Sequence, residues 1–346
     1  MNRRIFLQQT GATALMAQSA KPIRAAILGT KHSHTTGKLK AMQDNADYQV
    51  VGVCENDPAA KAKAQADPKF QGLHWMSEPE LLADRNIDLI VVECNAWEAL
   101  EWGKKVIDAG RHLHIEKPVG NDWPAFKALV ESARKKKLVF QAGYIWRNNE
   151  GVQAAIDAAR KGWLGEILMV RAAINSDRGP AERAIEERYK GGGLFELAGH
   201  AIDRTVDLLG RPTKVHSWLR HDTSVPDKLK DNNLSVFEFD KTLAIVTQST
   251  KQAGAGDHRS FEVMGTDGTF MVNPEGSPPR LRVQMRTAQG PYKAGWQDIK
   301  LKPQTRFVGD FEELAQAIKT GKPLRFSYDH ELLLQETLLR ASGEIS

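Results

Sequence analysis

The sequence predicts an α/β protein in two parts: a doubly wound parallel sheet, then a second α+β unit built on a large, open, mostly antiparallel sheet. Three observations carry this. Between Ile23 and Tyr144, short β-branched runs that are apolar on both faces alternate with helix-length segments, the pattern of parallel βαβ units. From Glu166 onward the runs are longer and alternate apolar with polar residues, as strands do when one sheet face is solvated. The length, 346 residues, suits two domains at about 150 residues each.

Residues 1–20, MNRRIFLQQTGATALMAQSA, stand outside the fold. Arg3-Arg4 followed by Phe6-Leu7, a short apolar run and Ala-Gln-Ser-Ala resembles a twin-arginine export signal with cleavage near Ala20. The expectation is a periplasmic or otherwise exported protein that crosses the membrane already folded, with its cofactor bound. Residues 21–145 form a Rossmann-type domain with six expected strands, IRAAILG, QVVGVC, GLHWM, IDLIVVE, HLHIEK and LVFQAGY, in the order 3-2-1-4-5-6. The run Arg134-Lys135-Lys136-Lys137 closes a helix, where cations suit the negative helix end. Residues 146–346 form the second, α+β domain, to which the resemblance described below assigns substrate binding and oligomerisation: the helix VQAAIDAARKG, then the runs EILMVRAAI, TKVHSWLR, LSVFEF, TLAIVTQST, SFEVMG, TFMVN and RLRVQMR. A GTDG hairpin turn falls at 265–268, and a helical tail starts at about Phe307.

Cys54 and Cys94 end strands two and four, which flank strand one. Two strand spacings are about 9.6 Å, beyond the roughly 7 Å between Cα atoms that a disulfide spans. Two free, buried thiols are expected. The net charge of +5 suggests an anionic partner at first sight. Two of the 48 cations, Arg3 and Arg4, lie in residues 1–20, which hold no acid, so the balance of the remainder drops to +3. A nucleic-acid role loses its support. No stretch reaches the roughly 18 apolar residues of a spanning helix, so no membrane association is expected once residues 1–20 are removed.

The first βα turn, AAILGTKHSHTTGK, stands where a dinucleotide fold carries G-x-G-x-x-G. Gly29 is kept, but Lys31 and His34 occupy the second and third glycine positions. Lys31, the helix N-terminal amides and the Ser33, Thr35 and Thr36 hydroxyls are left to hold an anion. Glu55, at the end of strand two, is placed to accept ribose hydroxyls and repel a 2′-phosphate, which favours NAD over NADP. His32 and His34 share a side of the loop, and His112 and His114 repeat that spacing. Nothing adjacent in the chain supplies a carboxylate or thiolate to His32 and His34, and two histidines fall short of the three or four ligands of a closed site, so no metal is expected.

Two distant motifs complete the set. In Glu116-Lys117-Pro118, Pro118 holds Lys117 in extended geometry above the carboxyl edge of the sheet. In Gly191-Gly192-Gly193-Leu194-Phe195-Glu196-Leu197-Ala198-Gly199-His200-Ala201-Ile202-Asp203, the polar residues Glu196, His200, Asp203 and Asp207 share one helix stripe, and the triple glycine lets another body approach the helix N-terminus.

Together with Asp57-Pro58, Gly143-Tyr144-x-x-Arg147, Gly165-Glu166 and the G-T-D-G-T-F hairpin at 265–270, these motifs resemble the Gfo/Idh/MocA oxidoreductases over nearly the whole chain after residue 20. The resemblance implies an NAD(P)-dependent enzyme acting on CH–OH groups of a sugar, glycoside or polyol, and a homo-oligomer. It places the catalytic lysine on Lys117 and the acid and histidine on Glu196 and His200, with Glu in place of Asp. Cofactor contacts are then expected from Gly29, Thr30, Lys31, His32, Glu55, Asn95, Glu116 and Lys117. Substrate contacts are expected from Tyr144, Arg147 and Tyr189. Glu93-Cys94-Asn95-Ala96-Trp97 departs from the family's T-P-x-x-x-H-like stretch. Because a periplasm holds little free NAD, an exported member should retain its cofactor. The alternatives are a redox-neutral glycoside-cleaving or epimerising enzyme and a non-catalytic sugar-binding relative.

Overall fold

A computed structural model describes residues 21–346; the expected export signal lies outside the described residues. Five parallel strands, β1 (Ile23–Leu28), β2 (Tyr48–Cys54), β3 (Leu89–Val92), β4 (His112–Ile115) and β5 (Phe140–Ala142), form the first sheet in the order β2-β1-β3-β4-β5. β3 is buried throughout and β1 at every residue but Arg24, as runs apolar on both faces require. The sixth expected strand, GLHWM, contributes only one bridge, Val53 to Trp75, beside β2. Gly72 is left-handed (φ +77°), so the chain is still turning as the run begins and only a short piece can pair. With that strand removed, the expected order is the one observed.

Cys54 and Cys94 are buried and unpaired, as the strand spacing requires. Helices Ala96–Asp108 and Trp123–Lys135 cover one sheet face through Trp102, Val106 and Phe126. The other face is covered by helix Thr35–Gln43 and, unexpectedly, by helix Val308–Thr320. The C-terminal tail therefore does not stay with the second sheet. Phe307, Phe311 and Leu314 return to the core beneath Ile23, Ile27 and Val91. Helix Tyr328–Ala341 then packs against helices Trp123–Lys135 and Gly199–Leu209, tying the two units together.

The second sheet has eight strands: β6 (Ile167–Ala173), β7 (Lys214–Arg220), β8 (Asn232–Glu238), β9 (Leu243–Ser249), β10 (Ser260–Gly265), β11 (Gly268–Val272), β12 (Leu281–Met285) and β13 (Gly295–Ile299). Their order is β13-β12-β11-β10-β6-β9-β8-β7, and all neighbours are antiparallel except β6 and β9. The expected hairpin joins β10 to β11 through Thr266-Asp267. β13, GWQDI, escapes sequence reading because it is an edge strand with no apolar alternation. Burial alternates along β8 and β9, leaving one face open, with Trp218 and Trp296 exposed on the outer strands. No helix among the described residues is long and apolar enough to cross a membrane.

Candidate active site

The carboxyl edge of the parallel sheet faces helices Pro180–Glu186, Gly193–Leu197 and Gly199–Leu209 across a cleft of about 400 Å³. Lys31, His32, Asn95 and Lys117 line it from one side, and Tyr189, Glu196 and His200 from the other. Residues about 80 apart in sequence meet here. Lys117 Nζ donates to the Glu196 main-chain oxygen at 3.0 Å and to its carboxylate at 3.2 Å. An ammonium has three N–H donors, so one is left for an oxygen in the cleft.

His200 is 3% exposed, with Tyr144 at its edge and Trp146 stacked on its ring. Burial, then the nearby Lys117 ammonium, holds its pKa well below the ordinary imidazole value. The ring is therefore neutral and able to take a proton across the physiological range. Its Nδ1, the Glu186 Oε2 and the Tyr189 hydroxyl are buried without a hydrogen-bond partner. Buried polar atoms are rarely left so, and all three residues line the cleft. Glu186, which the sequence reading passed over, is pushed up to about 7 by burial, against the pull of Arg178. Arg178, Arg259 and Arg306 also line the cleft and were missed; each stands in a connecting segment with no pattern to mark it.

The loop after β1 departs from the dinucleotide pattern for a reason visible beneath it. Lys38, on helix Thr35–Gln43, is 1% exposed and its ammonium lies 2.5 Å from both Glu93 Oε1 and Glu116 Oε2. Despite burial, the two carboxylates raise its pKa to about 12. Glu116 also accepts from the Lys117 backbone N–H at 2.9 Å and meets His34 Nδ1 at 3.1 Å. The replacement of a glycine by His34 and the unusual Glu93 are thus parts of one cluster. A carboxylate does reach His32 and His34, contrary to the sequence expectation: Glu116 brings three possible ligand atoms within 4.8 Å of one another. Lys38 already occupies the oxygen nearest His34, and a fixed ammonium there opposes a divalent cation.

The residues fit a dinucleotide diphosphate in this altered form. Gly29 has φ +96°, and a Cβ there would overlap the Glu93 carbonyl and the Trp102 ring. Close packing by the third glycine passes to Gly37, where a Cβ would strike the Phe307 ring. Thr30 donates its N–H and hydroxyl to Glu55 Oε2, at 2.7 and 2.9 Å, while the Asp57 N–H donates to Oε1. Glu55 is thereby corrected from a side chain open to a ribose to a buried strut of the loop, 4% exposed. Asn95 caps helix Ala96–Asp108 and bonds Glu98 at 2.7 Å.

Other expected contacts differ as well. Arg147 does not face the cleft: it is 3% exposed, pairs with Asp203 at 2.8 Å and Glu331 at 2.6 Å, and lies between the Tyr144 and Phe326 rings. Tyr144 is 1% exposed and backs His200 rather than lining the cleft. The triple glycine admits the protein itself, because side chains at Gly191, Gly192 and Gly193 would meet Ser342, Lys230 and Thr250. The acidic stripe divides as well: Glu196 and His200 face the cleft, whereas Asp203 and Asp207 join an ion cluster with buried Arg147 and Arg204 and exposed Arg160.

The sequence model described as the oxidoreductase family with an NAD-binding Rossmann fold matches residues 23–144, and the model of the Gfo/Idh/MocA C-terminal domain matches residues 152–271. The chain belongs to the Gfo/Idh/MocA family. This makes it an NAD(P)-dependent oxidoreductase. A dTDP-3,4-didehydro-2,6-dideoxy-alpha-D-glucose 3-reductase from Saccharopolyspora spinosa is 29% identical over 206 residues, 58% of this chain and 60% of that protein. A 3-ketoreductase from Actinomadura kijaniata, solved with NADP and TDP-benzene, superposes with a TM-score of 0.76 at 20% identity, over 92% of this chain and 96% of the other. An aldose-aldose oxidoreductase from Caulobacter crescentus superposes at 0.79 and 18% identity, over 93% and 98%.

Proposed function

We propose that this family member is an exported oxidoreductase that keeps NAD bound and oxidises or reduces a CH–OH group of a sugar, glycoside or polyol. The observation that carries the reading is the meeting of Lys117, Glu196 and His200 at the carboxyl edge of the parallel sheet. The buried polar atoms of Glu186, Tyr189 and His200 that have no partner suit a substrate rich in hydroxyls. The names of the sugar reductase and the aldose-aldose enzyme support the same class.

Alcohol oxidation removes the hydroxyl proton as hydride leaves the carbon. Nicotinamide, when bound, supplies the hydride acceptor. Neutral His200 takes the proton, and the free N–H of Lys117 steadies the developing alkoxide. Glu196 holds Lys117 in place through its carboxylate and its main-chain oxygen. Lys31 and the first turn of helix Thr35–Gln43 would hold the diphosphate. The carboxylate of Asp57, just after β2 and with its side chain 44% exposed, disfavours a further phosphate on the ribose, which supports NAD. Exposed Trp218 and Trp296 on the open sheet face support a second copy packing there.

The test is mass spectrometry of what co-purifies with protein exported by its own signal. Nicotinamide nucleotide released on denaturation, with absorbance at 340 nm appearing on sugar addition, is expected. Protein that carries none and binds none in calorimetry would end this reading. Replacing Arg3 and Arg4 by lysine should leave the protein in the cytoplasm; unchanged export would remove the localisation.

A further inference from the structure

The charges lining the cleft do not all balance. Most of its cations have an acid: Lys117 with Glu196 at 3.2 Å, Arg178 with Glu182 at 2.8 Å and Glu186 at 2.7 Å, Lys31 with Glu98 at 3.2 Å. Two more cations line the same cleft: Arg259, just before β10, and Arg306, just before helix Val308–Thr320. Arg259 spends its Nε on the Asn175 main-chain oxygen at 3.0 Å. Its Nη1 lies 3.7 Å from Glu275, too far for a hydrogen bond. Arg306 makes no ion pair among the described residues and is exposed.

Glu275 is a poor counter-ion for two guanidiniums. It is largely buried, and its pKa is raised for that reason despite both arginines. Arg259 is itself only 23% exposed in its side chain, and burial together with the like charges of Arg178 and Arg306 disfavours its charged form. Most of its five N–H donors remain unused next to the cleft. Arg259 and His200 line the same cleft, so this surplus is part of the site rather than of a remote surface.

We infer that the substrate carries an anionic group, a carboxylate such as that of a uronic acid or uronide, which Arg259 and Arg306 bind in the cleft. A planar carboxylate matches a guanidinium fork bidentately. The inference rests on the oxidoreductase reading for its substrate class, but its charge argument stands on Arg259, Arg306 and Glu275 alone.

The test uses the protein as purified and two matched probes, methyl β-D-glucuronide and methyl β-D-glucoside, titrated by calorimetry at low and high salt. The glucuronide should bind at least about tenfold more tightly, the scale of one charge-assisted hydrogen bond. Salt should shrink that advantage, and Arg259→Gln with Arg306→Gln should abolish it, with nucleotide content and melting temperature unchanged. Equal binding of the two probes, no binding of either to nucleotide-loaded protein, or an advantage that survives in the double variant would overturn the inference while leaving the oxidoreductase reading intact. If the double variant instead loses its nucleotide, the arginines serve the cofactor diphosphate and the substrate assignment falls. Tight glucuronide binding by protein that holds no nucleotide would sink the oxidoreductase reading and spare this one.

Discussion

Lys38→Met is the sharpest test of the cluster under the cofactor loop. Lys38, Glu93 and Glu116 are at most 2% exposed, and each Lys38 contact is 2.5 Å long. At an effective dielectric of about 20, such a contact is worth about 7 kcal/mol before solvation. Desolvation of the three groups cancels most of that, and removing one partner from a buried ion cluster costs about 3–5 kcal/mol. For a chain of this size that is a melting temperature lower by about 4–7 °C. The sign of the pH effect follows from Glu93, whose pKa burial already pushes up to about 7 even with Lys38 beside it. Because that folded value lies above the unfolded one of about 4.3, protonation favours folding, and stability falls as pH rises through this interval. Without Lys38 the fall should be steeper, so the variant's deficit should be larger at about pH 8 than at about pH 5. Adding Glu93→Gln to Lys38→Met should recover about 2 kcal/mol, since only one buried acid then remains. Differential scanning calorimetry of the parent and the two variants at the two pH values measures all of this. A variant as stable as the parent, or a double variant no better than Lys38→Met, would show that the three charges are not coupled.

The other predictions concern the site and its supports. His200→Asn and Lys117→Met should each lower kcat by about 10²–10⁴-fold without moving the melting temperature by more than a few degrees; retained turnover in either would remove that residue from the chemistry. Because His200 is held below the ordinary imidazole range, its depressed pKa keeps the base unprotonated as pH falls, so the acid limb of kcat/KM should lie below about pH 6.5; a limb at or above that value would contradict the burial argument. Arg147→Ala should cost about 3–5 kcal/mol of stability by stranding Asp203 and Glu331, and in whatever fraction folds, KM should stay within twofold; a raised KM at unchanged stability would return Arg147 to the substrate site. Gly29→Ala should lose nucleotide binding and about 2 kcal/mol or more, because its backbone is left-handed and the Glu93 carbonyl fills the space.

What was legible in the sequence depended on whether a residue acts through local pattern or through a distant partner. The parallel strands, the hairpin and the positions of Lys117, Glu196 and His200 follow from runs and motifs a few residues long. Arg147 misled because it sits beside an aromatic pair just after the parallel sheet, and nothing in the sequence reports that Asp203 and Glu331 consume its guanidinium. Lys38 did leave a signal: it lies three residues after Thr35 and four before Met42, on the buried stripe of its helix. A lysine there needs a buried acid, and the only unexplained buried acid in the first domain was Glu93, already marked as a departure from the family pattern. The replaced glycine at 34 belongs with them, because His34 meets the same Glu116 that Lys38 neutralises. Two departures that look like separate erosions of a cofactor site, His34 and Glu93, thus meet in one cluster around Lys38 and Glu116, and Glu116 also holds the backbone of Lys117. A loop decaying without selection would not be expected to acquire a lysine, a glutamate and a histidine whose charges and donors match around the support of the catalytic lysine. The altered loop is better understood as a rebuilt floor to the active site than as the remnant of a lost one.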